Sequence, residues 1–156
     1  MQLRLLCVGA RQPAWIDQGF ETYARRMPRG CSLALVEVAS RRRGKSPDVK
    51  RAVDKEGERL IQSIPEGAFV IALDAEGELW STKQLARQLG QWRQSHQIVA
   101  LLIGGPEGLA TACLKRAHRH WSLSALTLPH GLVRVLVAEQ LYRAWTILSG
   151  HPYHRE

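Results

Sequence analysis

The chain has 156 residues, 45% of them hydrophobic and 23% charged, a composition that suits one globular domain with a real core. No run of about 18 apolar residues occurs, which excludes a membrane-spanning helix. Three widely spaced cysteines in apolar stretches, Cys7, Cys31 and Cys113, exclude a disulfide scaffold and a Cys-x-x-Cys metal site, and read as reduced, buried thiols. The formal charge is +8 and the pI is near 10.0. The excess is uneven: residues 1–60 hold 13 Lys/Arg against 7 Asp/Glu, a net of +6, and the remainder hold 9 against 7. A basic N-terminal half suits a polyanion such as RNA. No secretory cleavage pattern follows the apolar start, so a cytoplasmic location is expected.

In chain order, short runs rich in Val, Leu and Ile predict strands over 2–8, 32–39, 68–73, 98–103 and 122–126. Helical spacing predicts helices between them. Trp15, Ile16, Phe20 and Tyr23 mark the first, over 15–26. Ser46-Pro47-Asp48 opens the second, with Ser as cap and Pro in the first turn, running to about Ser63. Ser81-Thr82-Lys83-Gln84 has the form of a capping box and starts a third, to about Ser95. A shorter helix covers 109–118. Strands alternating with helices predict a mostly parallel α/β sheet in a single domain over 1–156. The last helix, 131–148, has apolar residues most of the way round, so it needs burial on nearly all sides. A second copy of the chain is the simplest source of that cover, with packing inside one chain as the alternative.

Three segments carry candidate chemistry. Leu102-Ile103-Gly104-Gly105-Pro106-Glu107-Gly108-Leu109 follows a strand and precedes a helix, and its glycines permit a tight turn and close approach to a ligand. It matches neither the phosphate-loop nor the dinucleotide fingerprint, and its glutamate argues against a triphosphate. Residues 121–130 end a strand and enter the last helix through Pro129. With Leu73, Gly104 and Leu126 near the carboxyl ends of strands, three loops can build one pocket. The tail His151-Pro152-Tyr153-His154-Arg155-Glu156 concentrates imidazole, phenol and guanidinium groups. It lacks a third ligand at zinc spacing, so no metal is expected. Arg41, Arg42, Arg43 and Lys45 form a cationic run suited to RNA phosphates, or else a solvated face.

Residues 102–109, Ser122-Leu123-Ser124-Ala125-Leu126-Thr127-Leu128-Pro129-His130, Arg134, Ala138-Glu139-Gln140-Leu141-Tyr142-Arg143-Ala144 and His151-Pro152-Tyr153-His154-Arg155 together resemble the RlmH ribosomal RNA methyltransferases of the SPOUT superclass. The resemblance covers essentially the whole chain. It implies an α/β fold with a C-terminal trefoil knot, the segment after Gly104 threading near the loop after Leu126. It implies S-adenosylmethionine as cofactor and N3 of a pseudouridine in 23S rRNA of the assembled ribosome as the target. It further implies a homodimer with RNA bound where the subunits meet. Carried onto this sequence, the cofactor contacts are Leu73, Gly104, Leu123, Ser124, Ala125, Leu126, Thr127 and Leu128.

The imide N–H at N3 must lose a proton, so a base near neutral pKa is useful. His154 is the leading candidate and His130 the second. Arg134 or Arg155 can stabilise the imide anion, and Tyr153 can stack on the base. Glu139 and Arg143, at i and i+4, read as an ion pair. Two other classes compete. A noncatalytic ribosome-binding module would lack affinity for S-adenosylmethionine. A nicotinamide-dinucleotide enzyme needs the glycine fingerprint that is missing.

Overall fold

The computed structural model describes residues 1–9, 11–40 and 48–155. Five parallel strands form one sheet in the order β2-β1-β4-β3-β5. They are β1 (Gln2–Val8), β2 (Ser32–Val38), β3 (Phe69–Leu79), β4 (Ile98–Ile103) and β5 (Arg119–Ser122). The central strands are nearly continuous apolar runs because both faces of a parallel sheet are covered. Leu3, Leu5 and Cys7 of β1 and Val99, Leu101 and Ile103 of β4 enter one core. Leu6 and Val8, with Ala100 and Leu102, enter the other. This period-two division follows from the alternation of side chains along a strand.

The first core is closed by α1 (Ala14–Ala24), α3 (Thr82–Ser95) and α5 (His130–Ser149), the second by α2 (Val49–Gln62) and α4 (Thr111–Arg116). The Ser81 capping box is formed in full. At α2 the cap is Asp48, whose carboxylate accepts from the Arg51 N–H at 3.1 Å; Ser46 and Pro47 lie outside the described residues. No described helix is long and apolar enough to cross a membrane.

The last helix lies between α1 and α3, with the sheet beneath it. Tyr142 meets Tyr23 of α1 at 6.3 Å between ring centroids, and Thr82 of α3 donates to Gln140 at 2.8 Å. Val137, Ala138, Leu141 and Ala144 have no exposed surface. Its own chain therefore supplies much of the cover that its all-round apolarity demands, and Leu132, Leu136 and Trp145 are left only half-buried. Gly150 ends it in the left-handed region (φ +71°), which a side chain would resist. The His151 N–H then donates back to the Thr146 carbonyl at 2.9 Å. That turn reverses the tail onto the helix.

Two strands depart from expectation by several residues, and β2 ends one residue early, at Val38. The fifth strand covers 119–122, not 122–126, and the following residues form a loop. Leu-Ser-Ala-Leu-Thr-Leu alternates like a strand, but the Ser124 hydroxyl accepts the Leu126 N–H at 2.9 Å. A local side-chain bond of that kind replaces a ladder bond, and Leu126 is left 76% exposed. The third strand runs past Leu73 to Leu79 through a bulge, with both Leu73 and Glu78 paired to Trp121.

Candidate active site

The loops after β4, β3 and β5 leave three neighbouring strands at the same edge of the sheet. Leu73 is half-buried beside Trp121. Behind it, Gly77 lies so close to β5 that a Cβ there would stand 2.7 Å from the His120 carbonyl carbon. Gly104 is buried, and a Cβ on it would overlap the Gly108 carbonyl group. Its lack of a side chain is thus required first by the loop's own closure, which the Gly108 N–H seals by donating to the Gly105 carbonyl at 2.9 Å. Beneath the loop sits the buried Glu56 of α2, which accepts from the Ser40 hydroxyl at 2.8 Å. Leu123 and Leu128 are half-buried; Ser124 is intermediate, and Ala125, Leu126 and Thr127 are exposed.

The first turn of α5 meets the ends of β1 and β2. Arg134 has no exposed surface, and among the described residues none of its three guanidinium nitrogens has a hydrogen-bond partner. Its charge is met by the Glu37 carboxylate at 3.5 Å, a side chain 40% exposed. Burial pushes the nearby Cys7 thiol up to about 12, against the opposing pull of Arg134, so it stays protonated and inert. His130 lies 3.5 Å from Gln12. Burial, and then repulsion from Arg134, lower its pKa below the usual 6.5, so the imidazole is neutral at pH 7.

The tail forms one 3₁₀ turn, Pro152–Arg155, against the other half of α5. Tyr153 donates to Glu139 at 3.1 Å and sets its edge on Tyr142 at 4.8 Å between centroids. Arg143 donates to Glu139 at 2.8 Å and covers the Tyr153 ring at 4.8 Å, so the expected i, i+4 ion pair is present and enlarged by the tail. Burial, then hydrogen bonding with Tyr23 and Glu139, raise the Tyr153 pKa, and the phenol remains a donor. His154 is half-buried, with its Nδ1 enclosed and without a hydrogen-bond partner among the described residues. Arg155 is exposed.

Within one chain, then, the five candidate catalytic residues fall into two groups. His130 and Arg134 occupy the start of α5. Tyr153, His154 and Arg155 lie beyond the tail's contact with Glu139 and Arg143, about 14–20 Å along the helix from His130 at 1.5 Å per residue. Arg41, Arg42, Arg43 and Lys45 lie outside the described residues. Among the described residues no group of three His, Cys, Asp or Glu side chains is placed to hold a metal ion.

Sequence reasoning missed Glu37, Gln12, Glu56 and Gly77. Gly77 lies beyond the strand expected over 68–73, so the bulge that a glycine within a strand marks could not be read there. The others gain meaning from partners far away in the chain.

A family model described as "Predicted SPOUT methyltransferase" matches residues 1–154. A relative from Hahella chejuensis named "Ribosomal RNA large subunit methyltransferase H" is 55% identical over all 156 residues, covering 100% of both chains. Among solved structures, a probable methylase family protein from Haemophilus influenzae shares the fold with a TM-score of 0.57 at 15% identity, over 96% of this chain and 69% of its own. A putative methyltransferase from Legionella pneumophila, solved with bound cofactor SAM, matches with a TM-score of 0.51 at 11% identity, over 92% and 66%. The chain belongs to the SPOUT methyltransferases, in the family of the large-subunit ribosomal RNA methyltransferases H.

Proposed function

We propose that the chain is a single-domain S-adenosylmethionine-dependent methyltransferase acting on N3 of a pseudouridine in 23S rRNA of the assembled ribosome. The name of the Hahella relative supports the substrate class. The observation that carries the assignment to this site is the convergence of three loops at one sheet edge, where α5 begins with a neutral imidazole backed by a buried cation. The residues present fit the cofactor. Leu73, Leu123, Leu126 and Leu128 offer apolar surface to a purine, Ser124 and Thr127 offer hydroxyls, and the closed Gly104–Gly108 loop offers backbone without side chains. Ala125 completes the loop, and the segment after Gly104 threads past it to form the knot. When bound, the cofactor supplies a methyl group on a sulfonium, ready for in-line displacement.

His154 accepts the N3 proton as the new N–CH3 bond forms, and Tyr153 stacks on the base while Arg155 draws in its anionic edge. Arg134 is fully enclosed, so it acts through His130. It keeps that imidazole neutral and donating, where a second cation would be costly. We therefore assign Arg134 as a positioning residue. The two groups of residues are too far apart to serve one base within a chain. In this proposal the protein is a homodimer, with α5 outward faces in contact through Leu132, Leu136 and Trp145, and the tail of one chain completes the pocket of the other. Arg41, Arg42, Arg43 and Lys45 hold rRNA phosphates.

Methyl transfer to assembled ribosomes, compared with naked rRNA and followed by mapping of the modified nucleotide, tests the assignment. Transfer to a pseudouridine N3 in ribosomes is expected. No transfer, or transfer to another base, overturns it. If S-adenosylmethionine also fails to bind by calorimetry, a noncatalytic ribosome-binding module is what remains.

A further inference from the structure

Helices α3 and α5 leave a groove of about 570 Å³ between them, walled by Lys83 and Arg87 on one side and by Arg143 and His154 on the other, with Ala86 and Ile147 in its floor. Lys83 and Arg87 are exposed and one turn apart, a like-charge i, i+4 arrangement that weakens a helix unless an anion answers it. Helix α3 contains no Asp or Glu, and among the described residues neither cation makes an ion pair. Opposite them, Glu139 and Tyr153 fix the Arg143 guanidinium, and the enclosed His154 Nδ1 has no hydrogen-bond partner among the described residues. The groove thus holds two unanswered cations on its α3 wall, above an apolar floor.

We propose that this groove binds the sugar–phosphate backbone of the substrate RNA next to the target nucleotide and leads the strand to the tail; the proposal rests on the function assigned above. A phosphodiester strand answers the unpaired cations, while its sugars cover Ala86 and Ile147. A second copy of the chain is a poor occupant, because a protein of net charge +8 opposes a cationic groove. None of the residues that wall it belongs to the cationic run at 41–45 in the sequence.

The test uses the full-length protein with Lys83→Ala/Arg87→Ala, and with Lys83→Arg/Arg87→Lys as a charge-keeping control. Binding to a mixed-sequence single-stranded RNA and to assembled ribosomes is measured across a salt series. Loss of two phosphate contacts should lower the single-strand salt slope by about 1.4, and affinity at about 0.1 M salt should fall at least tenfold. The control should bind like the unaltered protein, and melting and cofactor calorimetry should be unchanged in both. Unchanged RNA affinity and slope in the alanine variant would overturn the proposal. So would a change of oligomeric state by light scattering with RNA affinity intact, since the groove would then join copies of the chain. If the unaltered protein binds RNA through the groove yet transfers no methyl group, the assigned function fails and the groove stands. If ribosomes are methylated and the alanine variant binds RNA normally, the groove fails alone.

Discussion

The two ends of α5 solve opposite problems with the same residue types. At its start, Arg134 is sealed from solvent, has no hydrogen-bond partner among the described residues and faces a half-exposed carboxylate at 3.5 Å. Toward its end, Arg143 is held by Glu139 at 2.8 Å, covers Tyr153 and keeps 22% of its side chain exposed. The first arginine is a fixed charge whose field acts on a neighbour. The second is part of a satisfied polar network that anchors a short tail contributing little apolar area. The tail can thus be displaced or exchanged at small cost to the core, whereas the buried cation cannot move without disturbing the sheet edge beneath it.

The sharpest way to break this contrast is to remove the tail. Deletion from His151 onward should reduce methyl transfer by about 10²–10⁴-fold, the range for loss of a general base, with melting temperature and cofactor affinity nearly unchanged. Full activity would mean that the tail is not catalytic.

Arg134→Met comes next. Because its partner Glu37 is 40% exposed and is left hydrated rather than buried, replacing the desolvated Arg134 charge by an apolar side chain of similar length should be neutral or stabilising, and a thermal melt should show no loss. Turnover should fall by about 10–100-fold, less than the loss of a direct anion donor. A purely structural role predicts the reverse, lower stability with turnover kept. Because Arg134 lowers the His130 pKa, the variant's His130 should titrate at higher pH by NMR, and the acid limb of the rate profile should move upward with it.

Tyr153→Phe removes the donor to Glu139 but keeps the ring. One net hydrogen bond is worth about 1 kcal/mol, so tail docking should weaken about fivefold, measured as proteolysis of the tail, with stacking preserved. The smallest effect concerns pH. The folded-state pKa of His130 is depressed below 6.5, so the unfolded chain binds more protons below that value. Stability should be flat above pH 6.5 and fall as pH drops toward the folded pKa, no more steeply than about 1.4 kcal/mol per pH unit for one proton. His130→Gln should remove that slope in melts from pH 4.5 to 8, taken as roughly the range in which histidine titrates.

Much of the frame was legible because local rules and global fold agree. Continuous apolar runs placed the strands at 2–8 and 98–103 at their observed bounds, and the Ser81–Gln84 pattern placed the start of α3. The loop at 123–129 misled because its alternation suits a strand, and only the Ser124 hydroxyl reveals that the ladder has stopped. The pocket loops were legible as punctuation, but the cause of the Gly104 requirement was not, since Gly108 folds back onto it only in three dimensions. Least legible was the separation of His130 and Arg134 from the tail. Sequence can list basic and acidic groups near a C-terminus, but which half of a 20-residue helix they return to depends on the left-handed turn at Gly150 and on the Tyr153–Glu139 contact.

The separation of those two groups is tested most directly by mixing two inactive chains. One lacks the tail; the other carries Gly104→Val, which cannot close its pocket loop, with its overall fold verified by circular dichroism. Pockets completed by the neighbouring chain's tail predict that co-refolded mixtures regain up to about a quarter of the unaltered activity, since random pairing makes half the dimers mixed and each then holds one complete site. A mixture as inactive as its components would contradict the account and return the tail to the pocket of its own chain.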